Sequence, residues 1–269
     1  MKIPYILYRK SVGQEGPDDE KEFQAASKYF QVKQYRSAIP ENSTIIGRYS
    51  VLPYYKELEE ELKNKGSSLI NSFSQHNFIA DITNYYEYVK EFTPKTHITW
   101  ENLESGKWVV KGKTNSRKHQ WNTHMFADGR EQLMAVVRRL MDDTMIREQG
   151  LIVRDYVPLK KLGEGINGLP ITCEWRCFFL EEQLVASDFY WASHPECYPG
   201  PLPAGGRKFA EMVSKIISKH ANFFVLDIAL TEESSWILVE INDGQMSGLS
   251  CIEPEIFYKN LYDNYREKS

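Results

Sequence analysis

Two runs in the last fifth of this 269-residue chain set polar side chains inside apolar strands: Val225-Leu226-Asp227-Ile228-Ala229 and Val239-Glu240-Ile241-Asn242-Asp243. Side chains alternate across a strand, so Glu240 and Asn242 share one face. If the two strands are neighbours, Asp227 joins them. Three oxygen ligands in a hydrophobic sheet suit a hard divalent cation bridged to phosphates. A single acid in a strand most often just faces water; three in register point to a metal site.

Two further constellations lie upstream. Val109-Val110-Lys111-Gly112-Lys113 ends an apolar strand, from which the Lys111 ammonium can project toward a phosphate. A lone lysine there would be an ordinary snorkelling side chain, but Lys113, Arg117 and Lys118 follow closely and suggest a basic lid over an anion. In Cys173-Glu174-Trp175-Arg176-Cys177, Glu174 and Arg176 share a strand face. Such a pair fits a cross-strand salt bridge and the recognition of phosphate or carboxylate equally well.

The elements that must position these residues follow from hydrophobic patterning. Strands are expected at Tyr5–Tyr8, Thr44–Tyr49 and Ser67–Asn71. Helices are expected over Glu20–Phe30, with Asp18 or Asp19 as cap, and from Pro53 through Lys65, stopped at Gly66. A helix over Tyr85–Glu91 should end at Thr93-Pro94. Beyond it the pattern runs strand (Trp108–Lys111), polar loop (Thr114–Trp121), helix (Gly129–Met141) and strand (Leu151–Val157). Gly163–Pro170, with three glycines, reads as a flexible turn before a hairpin of Thr172–Leu180 and Gln183–Phe189. An amphipathic helix (Phe209–His220), a second strand pair (Phe223–Leu230 and Trp236–Ile241) and a polar helical tail after Pro254 complete the chain. This is an α+β protein with an α/β amino-terminal lobe.

With 42% hydrophobic and 13% aromatic residues, the chain can bury a large core in two or three lobes. Its 33 basic and 37 acidic side chains leave a net charge of -4, so no global field draws it to nucleic acid or an anionic membrane. The four cysteines (173, 177, 197 and 251) have neither zinc-site spacing nor the density of a disulfide scaffold, and no run approaches membrane-spanning length. A cytoplasmic protein is expected.

Taken in order, Val109-Val110-Lys111, Val153-Arg154-Asp155-Tyr156-Val157, Glu174-Trp175-Arg176, Asp227 and Glu240-Ile241-Asn242 resemble the ATP-grasp ligases over roughly residues 90–252. Ile45-Ile46-Gly47-Arg48-Tyr49-Ser50 through Lys95 is similar to the preATP-grasp region of a phage and bacterial clade of that superfamily. The resemblance implies three lobes: a preATP-grasp lobe (1–92), a small lobe with lid and hinge (93–157) and a large lobe with the metal site (158–269). ATP would lie between the two α+β lobes of the ATP-grasp fold.

It also implies roles. Lys111 would contact the phosphates and Arg154, Asp155, Tyr156 and Val157 would form the hinge at adenine. Glu174 would help hold the nucleotide, Arg176 would stabilise the transferred phosphoryl group, and Asp227, Glu240 and Asn242 would bind Mg²⁺. Family lids are glycine-rich, yet no glycine lies between Thr114 and Trp121. Side chains of Ser116, Arg117, Lys118 and His119, after Lys113, would take the place of the amides. Arg48, Tyr49, Gln75 and His76, near expected strand ends, and Gln245 and Ser247, beyond the metal strand, are candidate substrate contacts.

The implied reaction is ADP-forming ligation of a small-molecule, peptide or protein carboxylate to an amine or thiol, through an acylphosphate. The same cleft would also serve a phosphotransferase, or a nucleotide-binding module that senses or recruits a partner without turnover.

Overall fold

The computed structural model describes residues 2–9 and 17–267. The amino-terminal lobe is built on a parallel sheet. Strand β1 (Tyr5–Tyr8) is followed by helix α1 (Pro17–Tyr29), β2 (Val32–Lys33), β3 (Thr44–Arg48), α2 (Tyr55–Asn64) and β4 (Ser68–Leu69), and the sheet order is β2-β1-β3-β4. Helix α1 starts at Pro17, so Asp18 and Asp19 lie within its first turn instead of capping it. Gly66, at φ +67, takes the left-handed turn after α2, close beside Asn42.

Two helices follow where only one was expected: α3 (Phe73–Ala80) and α4 (Ile82–Val89). The signal for α3 was present as a capping box. The Ser72 hydroxyl accepts from the Gln75 amide, and the Gln75 side chain accepts from the Ser72 amide. Gln75 and His76 therefore lie in a helix and not at strand ends.

A small antiparallel sheet comes next, ordered β5-β8-β6-β7. It contains β5 (Thr96–His97), β6 (Lys107–Gly112) and β7 (Phe126–Asp128), backed by helices α5 (Arg130–Asp142) and α6 (Thr144–Gln149), and then β8 (Leu151–Asp155). Trp108, Val110, Leu133, Val136, Leu140 and Val153 fill its core.

Residues 161–172, expected to be mostly flexible turn, form a second small hairpin of β9 (Lys161–Glu164) and β10 (Pro170–Thr172). Gly168, at φ +75, turns the chain between them where an added Cβ would collide with Asn122.

The large antiparallel sheet is ordered β12-β11-β13-β14. It is made of β11 (Glu174–Leu180), β12 (Gln183–Phe189), β13 (Phe223–Leu230) and β14 (Trp236–Asp243), with α7 (Ala204–Ile217) inserted between β12 and β13. One face packs on α7 and α4 through Ala210, Val213, Ile217, Phe224 and Ile241.

The closing helix α8 (Pro254–Glu267) is more than the polar tail expected. It buries Phe257, Tyr258, Leu261 and Tyr265 against α1 and the large sheet. Each such side chain is worth about 1.5–3 kcal/mol of burial, which welds the amino-terminal lobe to the large lobe. Among the described residues no helix is long and apolar enough to cross a membrane.

Candidate functional site

Register brings the acids together. Asp227 on β13 lies opposite Glu240 on β14 on one side and opposite Arg176 on β11 on the other, beside a bulge between Asp227 and Ile228. Asp227 is fully buried, as a carboxylate in the middle of an apolar strand must be when it has partners. Arg176 Nε donates to its Oδ1 at 2.9 Å and Nη2 to its Oδ2 at 2.8 Å, a two-pronged pair. Asn242 Nδ2 donates to the same Oδ2 at 3.2 Å. The same-face pair Glu174 and Arg176 is thus not a mutual salt bridge: Arg176 serves Asp227.

Lys111, near the end of β6 in the small sheet, reaches across to Glu240 Oε1 and forms a buried ion pair between the two sheets. Burial would push the Glu240 carboxyl up, but Lys111 and Lys118 outweigh it and hold it at about 2. Glu174 goes the other way. Burial, with Asp227 and Glu240 nearby, exceeds the pull of Lys118 and raises it to about 7. Thr172 Oγ1 donates to Glu174 Oε2 at 3.3 Å, while Oε1 is buried without a partner.

These groups line a cleft between the small and large sheets. Its polar wall carries Lys111, Ser116, Lys118, Glu174 and Glu240, and its apolar wall carries Val109, Trp121, Met125, Leu159, Leu169, Trp191, Ile237 and Val239. A cleft lined by apolar and aromatic side chains together with several charged groups suits a planar heterocycle joined to an anionic tail.

Residues 154–157 lie along this cleft at the crossing from β8 to the large lobe. The Arg154 side chain is engaged by protein acceptors in this arrangement. It is buried, donating to Val239 O at 2.7 Å and Thr93 Oγ1 at 2.6 Å, and so braces β8 against β14. Asp155 pairs with His97 Nε2 at 2.8 Å.

The glycine-free loop holds its place through side chains. Lys118 bonds the Tyr190 hydroxyl and sits 4.3 Å from that ring's centre, while Arg176 lies 4.8 Å from the same centre. Arg117 pairs with Asp143, and Asn167 Nδ2 donates to His119 O at 2.6 Å. Lys113 leans on Gly150. Thus Ser116 and Lys118 join the cleft wall, and Lys113 and Arg117 do not.

Tyr190 is a contact that the sequence reading missed. It lies one residue past β12, and the pairing of β11 with β12 brings it to two cations.

The candidate substrate contacts divide. Arg48, Tyr49, Gln245 and Ser247 line a second cavity at the carboxyl ends of β1 and β3. Gln75 and His76 are not brought there. His76 is buried, stacked on Tyr55 and 3.1 Å from Asp243 Oδ2.

Asp227, Glu240 and Asn242 are a hard-oxygen set, and with the unpartnered Glu174 oxygen nearby their chemistry fits Mg²⁺. Among the described residues no three His, Cys, Asp or Glu side chains are grouped to hold a metal.

The raised Glu174 carboxyl has a measurable consequence. A folded-state value of about 7 against the ordinary 4.5 means that its contribution to stability is full below about pH 4.5 and is lost as pH rises through 7. Glu174→Gln should therefore gain stability relative to the parent protein across that window, on the order of 3 kcal/mol, in denaturant unfolding at a series of pH values. Parallel pH profiles of the two proteins would contradict it.

Residues 98–261 match the ATP-grasp domain, R2K clade family 3. No curated protein gives a significant match. Among solved structures, D-cycloserine synthetase DcsG is similar at a TM-score of 0.62 and 11% identity, covering 97% of this chain and 99% of that one. A RimK domain ATP-grasp protein from Sphaerobacter thermophilus DSM 20745 is similar at 0.57 and 12%, covering 95% and 98%. The ATP-grasp ligase PsnB, in complex with a minimal precursor, Mg and ADP, is similar at 0.56 and 7%, covering 98% of each chain. At these identities the likeness is one of fold.

Proposed function

The chain belongs to the ATP-grasp superfamily, and on that premise we propose that it is an ATP- and Mg²⁺-dependent ligase. It would join a carboxylate to an amine or thiol and release ADP and phosphate. The observation that carries this reading is the placement of Lys111, Glu174 and Glu240 around one cleft, with Arg176 and Asp227 at its side. The ligase PsnB, solved with Mg and ADP, and D-cycloserine synthetase share the fold and support it.

In this reading residues 1–92, 93–157 and 158–269 act as substrate lobe, small lobe and large lobe. The backbone of residues 154–157 and the side chains of Trp121, Met125 and Ile237 would enclose the adenine. Lys111 and Lys118 would bind the phosphates, and Arg176 would face the transferring phosphoryl group. Asp227, Glu240 and Asn242 would hold Mg²⁺, which when bound neutralises phosphate charge and aligns the oxygens.

A substrate carboxylate oxygen would form a bond to the γ-phosphorus as the bond to ADP breaks. The acceptor's lone pair would then displace phosphate from the acyl carbon. The side-chain-latched loop 114–121 would keep water from the acylphosphate. Catalysis of this kind is mainly positioning and charge stabilisation.

Incubation with Mg-ATP and panels of carboxylates and amines should release ADP only when both substrates are present. Formation of AMP would refute the mechanism. A stable phosphorylated product without an acceptor would mark a phosphotransferase, and tight nucleotide binding without ADP a sensor or recruitment module. The cytoplasm, with its ATP supply, is the proposed location.

Lys118→Ala should weaken Mg-ATP binding about tenfold, as loss of one charged contact predicts, and titration calorimetry would read it. Unchanged affinity would remove Lys118 from the phosphate site.

A further inference from the structure

The second cavity is walled by Arg9, Glu22, Arg48, Tyr49, Ser247 and Gly248 among others. Its charges are unevenly used. Glu22 is held entirely through Oε1, which accepts from Arg48 Nε at 3.0 Å, Arg48 Nη2 at 2.8 Å and the Tyr258 hydroxyl at 2.8 Å. Its Oε2 takes no hydrogen bond from the described residues. Arg48 is already engaged on both sides, two of its N–H groups on Glu22 and its Nη1 on Gly244 O at 2.6 Å.

Arg9 is exposed, with its guanidinium 5.4 Å from the centre of the Tyr49 ring, and it makes no ion pair among the described residues. The cavity thus offers one fixed, spare carboxylate oxygen and one spare guanidinium. It also adjoins the ATP-grasp corner. The loop 244–248 is pinned at one end by Arg48 and at the other by Arg176, whose Nη1 donates to Gly248 O at 2.9 Å.

We propose that this cavity binds an α-amino acid as its zwitterion, the ammonium on Glu22 Oε2 and the carboxylate on Arg9. Its role as the amine acceptor rests on the ligase reading above; its binding does not. In the ligase step the ammonium gives one proton to Glu22, and the nitrogen lone pair forms the C–N bond. The acyl C–O bond breaks with its electrons on phosphate, which carries off the second proton.

The twenty standard L-amino acids, with the N-acetyl and amide forms of any that bind, are titrated into the full chain by calorimetry and saturation-transfer NMR. At least one amino acid should bind, and blocking either its amine or its carboxylate should weaken it by about tenfold or more. Arg9→Ala and Glu22→Gln should each do the same while Mg-ATP affinity stays unchanged. Because Glu22 also anchors Arg48, Arg9→Ala is the decisive variant, being exposed and, among the described residues, in contact only with the Tyr49 ring.

No amino-acid binding by a protein that binds Mg-ATP overturns the proposal, as does equal binding of the blocked forms or full affinity in Arg9→Ala. Amino-acid binding without ADP release from any carboxylate supports the cavity assignment and overturns the ligase reading. ADP release with simple amines, and no amino-acid binding, does the reverse.

Discussion

Asp227→Asn is expected to cut ATP-dependent turnover by about a thousandfold and to destabilise the fold by about 3 kcal/mol, the range for breaking a buried ion pair. The substitution keeps size and removes charge at a fully buried position whose two oxygens hold Arg176. The amide cannot accept through both atoms, so Arg176 loses its counter-ion at a mostly buried position. The proposed cation loses an anionic ligand at the same time.

The two losses separate by a double-mutant cycle with Arg176→Met. Removing both charges should recover much of the stability, because neither charge is then left unpaired, but no turnover. Lysine and aspartate in the exposed pair Lys259–Asp263 of α8 give the control: Asp263→Asn should change stability by less than about 0.5 kcal/mol. ADP release and denaturant unfolding measure the two effects. Turnover within tenfold of the parent protein would exclude Asp227 from the proposed metal corner.

The legible parts of the site were those in which an unusual residue type broke a regular pattern. Asp227, Glu240 and Asn242 stand out because their strands are otherwise apolar, and the alternation that placed them on one face needs only adjacency of β13 and β14. The observed register supplies that adjacency. Lys111 was visible for the same reason, at the end of Trp108-Val109-Val110.

Partners were far less legible, since they depend on long-range register. Nothing local in Glu174-Trp175-Arg176 says that the arginine bonds Asp227, 51 residues away, and leaves Glu174 half-satisfied. Arg154 shows the same limit. Its position beside the cleft was readable, but not that its side chain bonds Thr93 and Val239.

In the fold, helix α3 escaped because Phe73–Ala80 has almost no amphipathic stripe; its cap carried the signal. Helix α8 reads as a polar tail because Phe257, Tyr258, Leu261 and Tyr265 are diluted by charged neighbours. They form a buried stripe at the 3- and 4-residue spacing of a helix.

The Lys111–Glu240 pair yields the second large effect. The two charges approach from different sheets, and both are mostly removed from solvent, with 8% and 17% of their side chains exposed. In the proposed complex Lys111 also meets a phosphate, so it links nucleotide affinity to closure of the small sheet on the large one. Lys111→Met keeps the length and apolar stem of the side chain but leaves Glu240 without its nearest cation. Mg-ATP affinity should fall about 30-fold, the loss of one strong charge-assisted contact.

The acid limb of stability should change as well. A carboxyl held at about 2 against an ordinary 4.5 contributes stability that is present above about pH 4.5 and lost as pH falls toward 2. In Lys111→Met that depression shrinks, because only the charges of Lys118 and Arg154 remain to oppose the cost of burial. The variant should therefore be less stable at pH 7 and lose less on acidification, and the two unfolding curves should converge as pH drops below 4. A constant offset between them at every pH would show that Lys111 acts through packing rather than through its charge.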